Sequence, residues 1–121
     1  MARSRDDSLQ ESLRRLAAAE EQFLAQEFLA RVAQIIRRRV PAAGSVLAGE
    51  VAAAVSRLRA LELTKPPGIS EAITWAGALS VFGASSLSAA TAERTMSVVV
   101  KYPEDEQTVR EAGLAAVVGH D

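Results

Sequence analysis

Large apolar side chains recur every three or four residues from Leu9 to Ile36, at Leu9, Leu13, Leu16, Phe23, Leu24, Phe28, Val32, Ile35 and Ile36. That spacing marks one face of an α-helix. It predicts a long helix over 8–38, with Glu20, Glu21 and Glu27 on the other face and Asp7 or Ser8 as cap. Residues 1–7 then form a flexible lead. A break near Glu20, after Ala17, Ala18 and Ala19, is the alternative. The helix must stop at Val40-Pro41, because a residue preceding proline avoids the helical region. A helix this long with one apolar face needs other elements to cover that face. Aromatic residues are only 4% of the chain, and Ala, Leu, Val, Arg and Glu dominate. This composition favours further helices over strands.

The rest of the chain supplies them. Ala42-Ala43-Gly44-Ser45 reads as a turn with Ser45 as cap. A helix over about 46–62 follows, with Leu47, Val51, Ala54, Val55 and Leu58 as its apolar stripe and Arg57 and Arg59 elsewhere. Residues 61–68 hold two consecutive prolines and form a stiff loop. A third helix starts near Ser70, its expected N-cap, with Glu71 at the positive end. Ile69, Ala72, Ile73, Ala76 and Leu79 face the core, with Trp75 beside them, and Gly83 closes the helix. Ser86 or Ser88 caps a fourth helix over about 88–102, carrying Ala92, Thr95, Met96, Val98, Val99 and Tyr102. Pro103 ends it. Asp105 is the candidate cap of a short fifth helix, with Val109, Ala112 and Val117 inward and Gly119 after its end. The expectation is an all-α bundle of four to five helices forming a single domain over 8–118.

Charge and composition exclude several classes of function. The net charge is −1, so no global attraction draws the chain to nucleic acid or anionic lipid. The distribution is uneven, with eight arginines against six acids in residues 1–40 and three bases against six acids in residues 91–121. There is no cysteine and a single histidine, which argues against disulfides and against a thiolate or histidine metal site. The uncharged stretch between Glu71 and Glu93 is long enough to span a bilayer. Its serines, threonines and turn-like Gly83-Ala84-Ser85-Ser86 fit a buried helix–turn–helix better. No apolar signal segment follows Met1, and a cytoplasmic location is the expectation.

Motifs for catalysis fail on inspection. Gly44-Ser45-Val46-Leu47-Ala48-Gly49 has the glycine spacing of a phosphate-binding loop. Such a loop needs Lys and then Ser or Thr next; here Glu50 and Val51 follow, and a glutamate would repel phosphate. A Ser–His–Asp grouping would depend on His120 and Asp121 at the chain end, where a rigid imidazole is not expected. Paired carboxylates at Asp6-Asp7, Glu20-Glu21 and Glu104-Asp105-Glu106 read as solvated charge. Arg31 with Arg37, Arg38 and Arg39 forms a basic patch at a helix C-terminus, where it complements the helix dipole. It could also meet an acidic partner subunit or phosphate. No aromatic residues interleave with it, so nucleic-acid binding is disfavoured. No catalytic residue emerges.

One longer pattern remains. Arg39-Val40-Pro41 precedes a helix ending Arg57-Leu58-Arg59-Ala60-Leu61-Glu62-Leu63. Then come Lys65-Pro66-Pro67-Gly68-Ile69-Ser70-Glu71, Trp75, Ala78-Leu79, Thr95, and Lys101-Tyr102-Pro103-Glu104-Asp105. This order resembles the C-terminal helical lid of MoxR-type AAA+ ATPases, in the branch associated with cofactor maturation of molybdenum hydroxylases. It covers residues 31–116. The resemblance implies a small helical subdomain that closes over a nucleotide held by a separate α/β core. It implies a second sensor region near the phosphates at Lys65, Pro67, Gly68, Ser70 and Glu71. It also implies ATP and magnesium as cofactors of the parent ATPase, none being held by the lid alone. The implied partners are the large subdomain, neighbouring subunits of a ring and a von Willebrand A-domain protein; the implied work is chaperone-like remodelling or metal-cofactor insertion. Two positions depart from the pattern. Ala72 stands where AAA+ lids carry a phosphate-sensing arginine, leaving Lys65 as the nearest cation, and Thr74 replaces an acid before Trp75. The chain lacks the phosphate loop and Walker B acids, so it is not expected to be an enzyme by itself. The alternative reading is a stand-alone helical interaction module that docks a partner through the long helix or the arginine patch.

Overall fold

The computed structural model describes residues 5–120, and every regular element among them is helical. α1 spans Arg5–Arg39, a short 3-10 turn spans Pro41–Ala43, and α2 spans Gly44–Arg59. After a loop come α3 (Ile69–Val81), α4 (Ala89–Val99), α5 (Pro103–Ala112) and α6 (Leu114–Val118). Of the flexible lead expected over 1–7, residues 1–4 lie outside the described residues. Arg5, Asp6 and Asp7 are already helical, so neither Asp7 nor Ser8 is a cap.

α2 is the central helix. Leu47, Val51, Ala54, Val55 and Leu58 are all fully buried, as the stripe requires, and Ala48 and Ala52 join them. α1 lies along α2 and contributes Val32 and Ile36 to the same core. α3 and α4 pair with each other and close the other side, through Ala72, Trp75, Ala76 and Leu79 on α3 and Ala92, Met96 and Val99 on α4. Small α6 wedges against α2 and α4 with Val117 and Val118. The charge-free stretch is split by the turn at 82–88, and no helix among the described residues is long and apolar enough to cross a membrane.

Several helix ends differ from expectation. Ser45 lies inside α2, whose first residue is Gly44. α3 begins one residue earlier than Ser70, with Gly68 as N-cap. Ser88 is the true cap of α4: its Oγ accepts from the Thr91 N–H at 3.1 Å, while Thr91 Oγ1 accepts from the Ser88 N–H at 3.0 Å. α4 stops at Val99, so Tyr102 leaves the helix and becomes the N-cap of α5, with Pro103 in the first turn. The expected fifth helix is two. Gly113 adopts φ +94, ψ 131, a region open almost only to glycine, and the chain turns there into α6. That break leaves Ala112 exposed instead of inward.

The largest difference concerns α1. The helix is unbroken at Glu20, but its apolar residues do not form the single face expected: Leu9, Leu13 and Leu16 lie nearly opposite the buried Val32 and Ile36 and are exposed. From Arg5 to Glu27 every residue except the partly buried Glu11 is exposed. Only from Phe28 onward is α1 buried against the rest of the fold; Gln22, Leu24, Ala25 and Gln26 stay exposed while lining surface pockets with Ser56 and its α2 neighbours. Glu20 and Glu27 lie on the same stripe as Leu9, Leu13, Leu16 and Phe23, in alternating steps of four and three, and not on an opposite face.

Trp75 anchors the core and carries one polar atom into it. Its Nε1–H donates to Thr95 Oγ1 at 2.7 Å, and Thr95 Oγ1 donates to the Thr91 carbonyl at 2.7 Å. Thr95 is 3% exposed. A single hydroxyl therefore satisfies the indole across the α3–α4 contact. Thr95→Val keeps the shape but orphans the indole N–H, and is expected to cost about 1–3 kcal/mol in urea unfolding. Thr95→Ser, which keeps both hydrogen bonds, should cost clearly less.

Candidate functional site

The segment 63–71 contains all five predicted sensor-like residues, and it is held by side chains from three helices. Leu63 turns into the core after Glu62 takes the left-handed conformation at φ +57. Asp105, at the start of α5, then grips the next two residues. Its Oδ1 accepts from the Thr64 N–H at 2.8 Å and its Oδ2 from the Lys65 N–H at 2.9 Å. Arg59, at the end of α2, donates from Nη1 to the Pro67 carbonyl at 3.1 Å. The same guanidinium sits over the Phe28 ring of α1, 4.7 Å from its centroid. Glu71 reaches back so that its Oε2 accepts from the Gly68 N–H at 3.1 Å. Gly68 has no side chain to return the bond, so only this half of a capping box is made.

These contacts fix which predicted residues face outward. Lys65 and Ser70 are exposed, Gly68 and Glu71 are partly buried, and Pro67 is buried. The Ser70 carbonyl accepts from Thr74 Oγ1 at 3.0 Å, and Thr74 is exposed. Ala72 is fully buried, so the position that could have held a phosphate-sensing arginine points into the core. Lys65 is exposed, in the loop that leads into α3.

Asp105 departs from the expectation of a solvated helix cap, for it is 2% exposed. Burial pushes its carboxyl upward, but hydrogen bonds from the Lys65 and Thr64 backbone and the Thr64 side chain together hold it below its ordinary value. The ionised form is thus the one the fold selects. Glu104 and Glu106 flank it, exposed and partly buried, in the first turn where acids suit the helix dipole.

The remaining candidates lie elsewhere. Arg31, Arg37, Arg38 and Arg39 are exposed on α1, the last three in its final turn, and make no hydrogen bond or ion pair among the described residues. Glu50, the residue that excludes a phosphate loop, has a structural task. Its Oε1 accepts from the Leu87 N–H at 3.1 Å, and its Oε2 lies 3.2 Å from His120 Nε2. Arg57 donates to the Val117 carbonyl at 3.1 Å and packs under Gly119, where a Cβ would come within 2.9 Å of the guanidinium. Comparisons with known protein families, curated proteins and solved structures find no match to this chain.

Asp105→Asn should loosen the 63–68 segment, because an amide cannot accept from both N–H groups with both of its side-chain atoms. Hydrogen exchange at the Thr64 and Lys65 amides is expected to accelerate in the variant. The pH dependence follows from the depressed carboxyl: its contribution to stability is complete above the unfolded carboxylate range and is lost as pH falls through the folded value. The stability gap between wild type and Asp105→Asn should therefore be widest at neutral pH and shrink on acidification.

Proposed function

We propose that residues 31–116 are the small helical lid of a MoxR-type AAA+ ATPase. The lid closes over a nucleotide bound by an α/β core, and is not catalytic alone. The observation that carries this reading is the meeting of two motif segments. Lys65-Pro66-Pro67-Gly68 and Lys101-Tyr102-Pro103-Glu104-Asp105 belong to the resemblance as separate stretches, about forty residues apart in sequence. In the fold Asp105 holds the backbone of Thr64 and Lys65, so both stretches form one unit. A lid needs such a unit: a rigid loop at a helix start, with its cation outward and its backbone fixed.

On this reading Lys65 supplies the positive charge facing the terminal phosphate, in place of the arginine that buried Ala72 excludes. Pro67, Gly68, Ser70 and Glu71 shape the turn that carries it. The ATP and magnesium belong to the parent core, which brings the phosphate loop and the acids that hold the metal. The partners are that core, neighbouring ring subunits and a von Willebrand A-domain protein, in chaperone-like remodelling or metal-cofactor insertion in the cytoplasm. The exposed arginines at the end of α1 give an acidic subunit surface a place to dock.

The test is complementation in trans. The chain is added to a MoxR-type α/β core from which the lid has been deleted, and ATP turnover is measured. Turnover should rise with the chain, remain at background for the chain alone, and fall by about tenfold or more with Lys65→Ala, given that one charge-assisted contact to phosphate contributes about 1.5–3 kcal/mol. Hydrolysis by the isolated chain, or an unchanged core, would contradict the proposal.

A further inference from the structure

The Pro67–Gly68 peptide unit is held at both of its polar atoms. In a trans peptide the carbonyl and the N–H point to opposite edges of one plane. Arg59 Nη1 donates to the Pro67 carbonyl at 3.1 Å, and Glu71 Oε2 accepts from the Gly68 N–H at 3.1 Å. The plane is therefore pinned from opposite edges. Glu71 reaches it from the first turn of α3, three residues on, whereas Arg59 reaches it from the last residue of α2, across the loop.

What orients Arg59 comes from α1. Its guanidinium carbon lies 4.7 Å from the centroid of the Phe28 ring, and that ring and the Pro67 carbonyl are its two partners among the described residues. A guanidinium can serve both at once, because its N–H groups radiate in its plane while its face stacks. Leu24, Ala25, Ser56 and Ala60 line open surface beside the pair, so the side chain has room to swing away once the ring is gone. The ring itself is firmly placed. Phe28, Val32 and Ile36 follow at steps of four on one helix face, and Val32 and Ile36 are fully buried.

We infer that Phe28 and Arg59 are positioning residues of the candidate site, through which the seat of α1 on α2 sets the Pro67–Gly68 peptide at the entry to α3. The Asp105 carboxylate fixes the front of the segment, at Thr64 and Lys65, with no part taken by α1. The rear answers to α1. A shift of α1 against α2 carries the ring away from Arg59 and releases that one peptide while the front stays held. The link starts at residue 28, outside the lid-like region 31–116, and does not depend on the loop facing a nucleotide.

The test is amide hydrogen exchange in the full chain, read at Gly68 and, for comparison, at Thr64 and Lys65. Phe28→Leu keeps an apolar side chain but removes the ring, and should speed exchange at Gly68 by about two- to fivefold, the range an exposed cation–π contact supports. Phe28→Tyr keeps the ring and should exchange as the wild type does. Arg59→Leu removes the donor and should speed Gly68 at least as much. Adding Phe28→Leu to Arg59→Leu should then change nothing further, because both act through one contact. Thr64 and Lys65 should keep their wild-type rates throughout. A wild-type rate at Gly68 in Phe28→Leu overturns the proposal, as does Phe28→Tyr behaving like Phe28→Leu, or a double variant whose effects add. Equal acceleration at all three amides also overturns it, since that reports general loosening. None of these rates involves an ATPase core, so failure here and failure of the lid reading are separate results.

Discussion

The grip of the Asp105 carboxylate on the Thr64 and Lys65 amides is the contact on which the candidate site depends. A loop with two prolines has few backbone donors left with which to satisfy itself. The two N–H groups just ahead of the prolines point at the buried start of α5, where an unpaired donor costs about as much as a lost hydrogen bond. One carboxylate, brought from forty residues along the chain, takes both. Arg59 and Glu71 then secure the next two links, at Pro67 and Gly68. The segment is therefore held by α2, α3 and α5 together, and its outward face, with Lys65, is fixed by what holds its inner one.

Polar contacts elsewhere follow the same logic. Loops and termini are tied to helices by single charged or hydroxyl side chains. Glu50 ties the turn before α4 to α2, Arg57 ties the end of α6 to α2, and Thr95 ties the Trp75 indole to α4. These ties fasten connections that the small aliphatic core, with one tryptophan at its centre, does not itself order. Arginine suits the task because its fork can reach a carbonyl while its planar face packs on an aromatic ring, as Arg59 does on Phe28.

Much of the fold is legible in the sequence because helical periodicity reports local geometry. The stripe on α2 is buried as spaced, most of the inward set on α3 is too, and Trp75 is the core anchor. What periodicity cannot report is whether a partner exists to cover an apolar face. Leu9, Leu13 and Leu16 share a spacing with Val32 and Ile36 but, on one unbroken helix, lie on nearly the opposite face from them, and among the described residues nothing covers that face. Nor can spacing alone tell a solvated acid from a buried one. Asp105 sits among Glu104 and Glu106, and only a contact forty residues distant separates its fate from theirs. At Gly113 a helix pattern continues on both sides, so spacing runs through a break that only the backbone conformation reveals. Of the candidate site, the resemblance points to the residues; the fold shows that Ala72 is buried in the core while Lys65 is exposed.

The most direct measurement is chemical-shift mapping of the labelled chain against a lid-deleted MoxR-type core, with and without a non-hydrolysable ATP analogue. Amide shifts are expected to concentrate on Thr64 through Glu71 and to grow when the nucleotide is present. Shifts confined to the first half of α1, or none that respond to nucleotide, would contradict the lid reading.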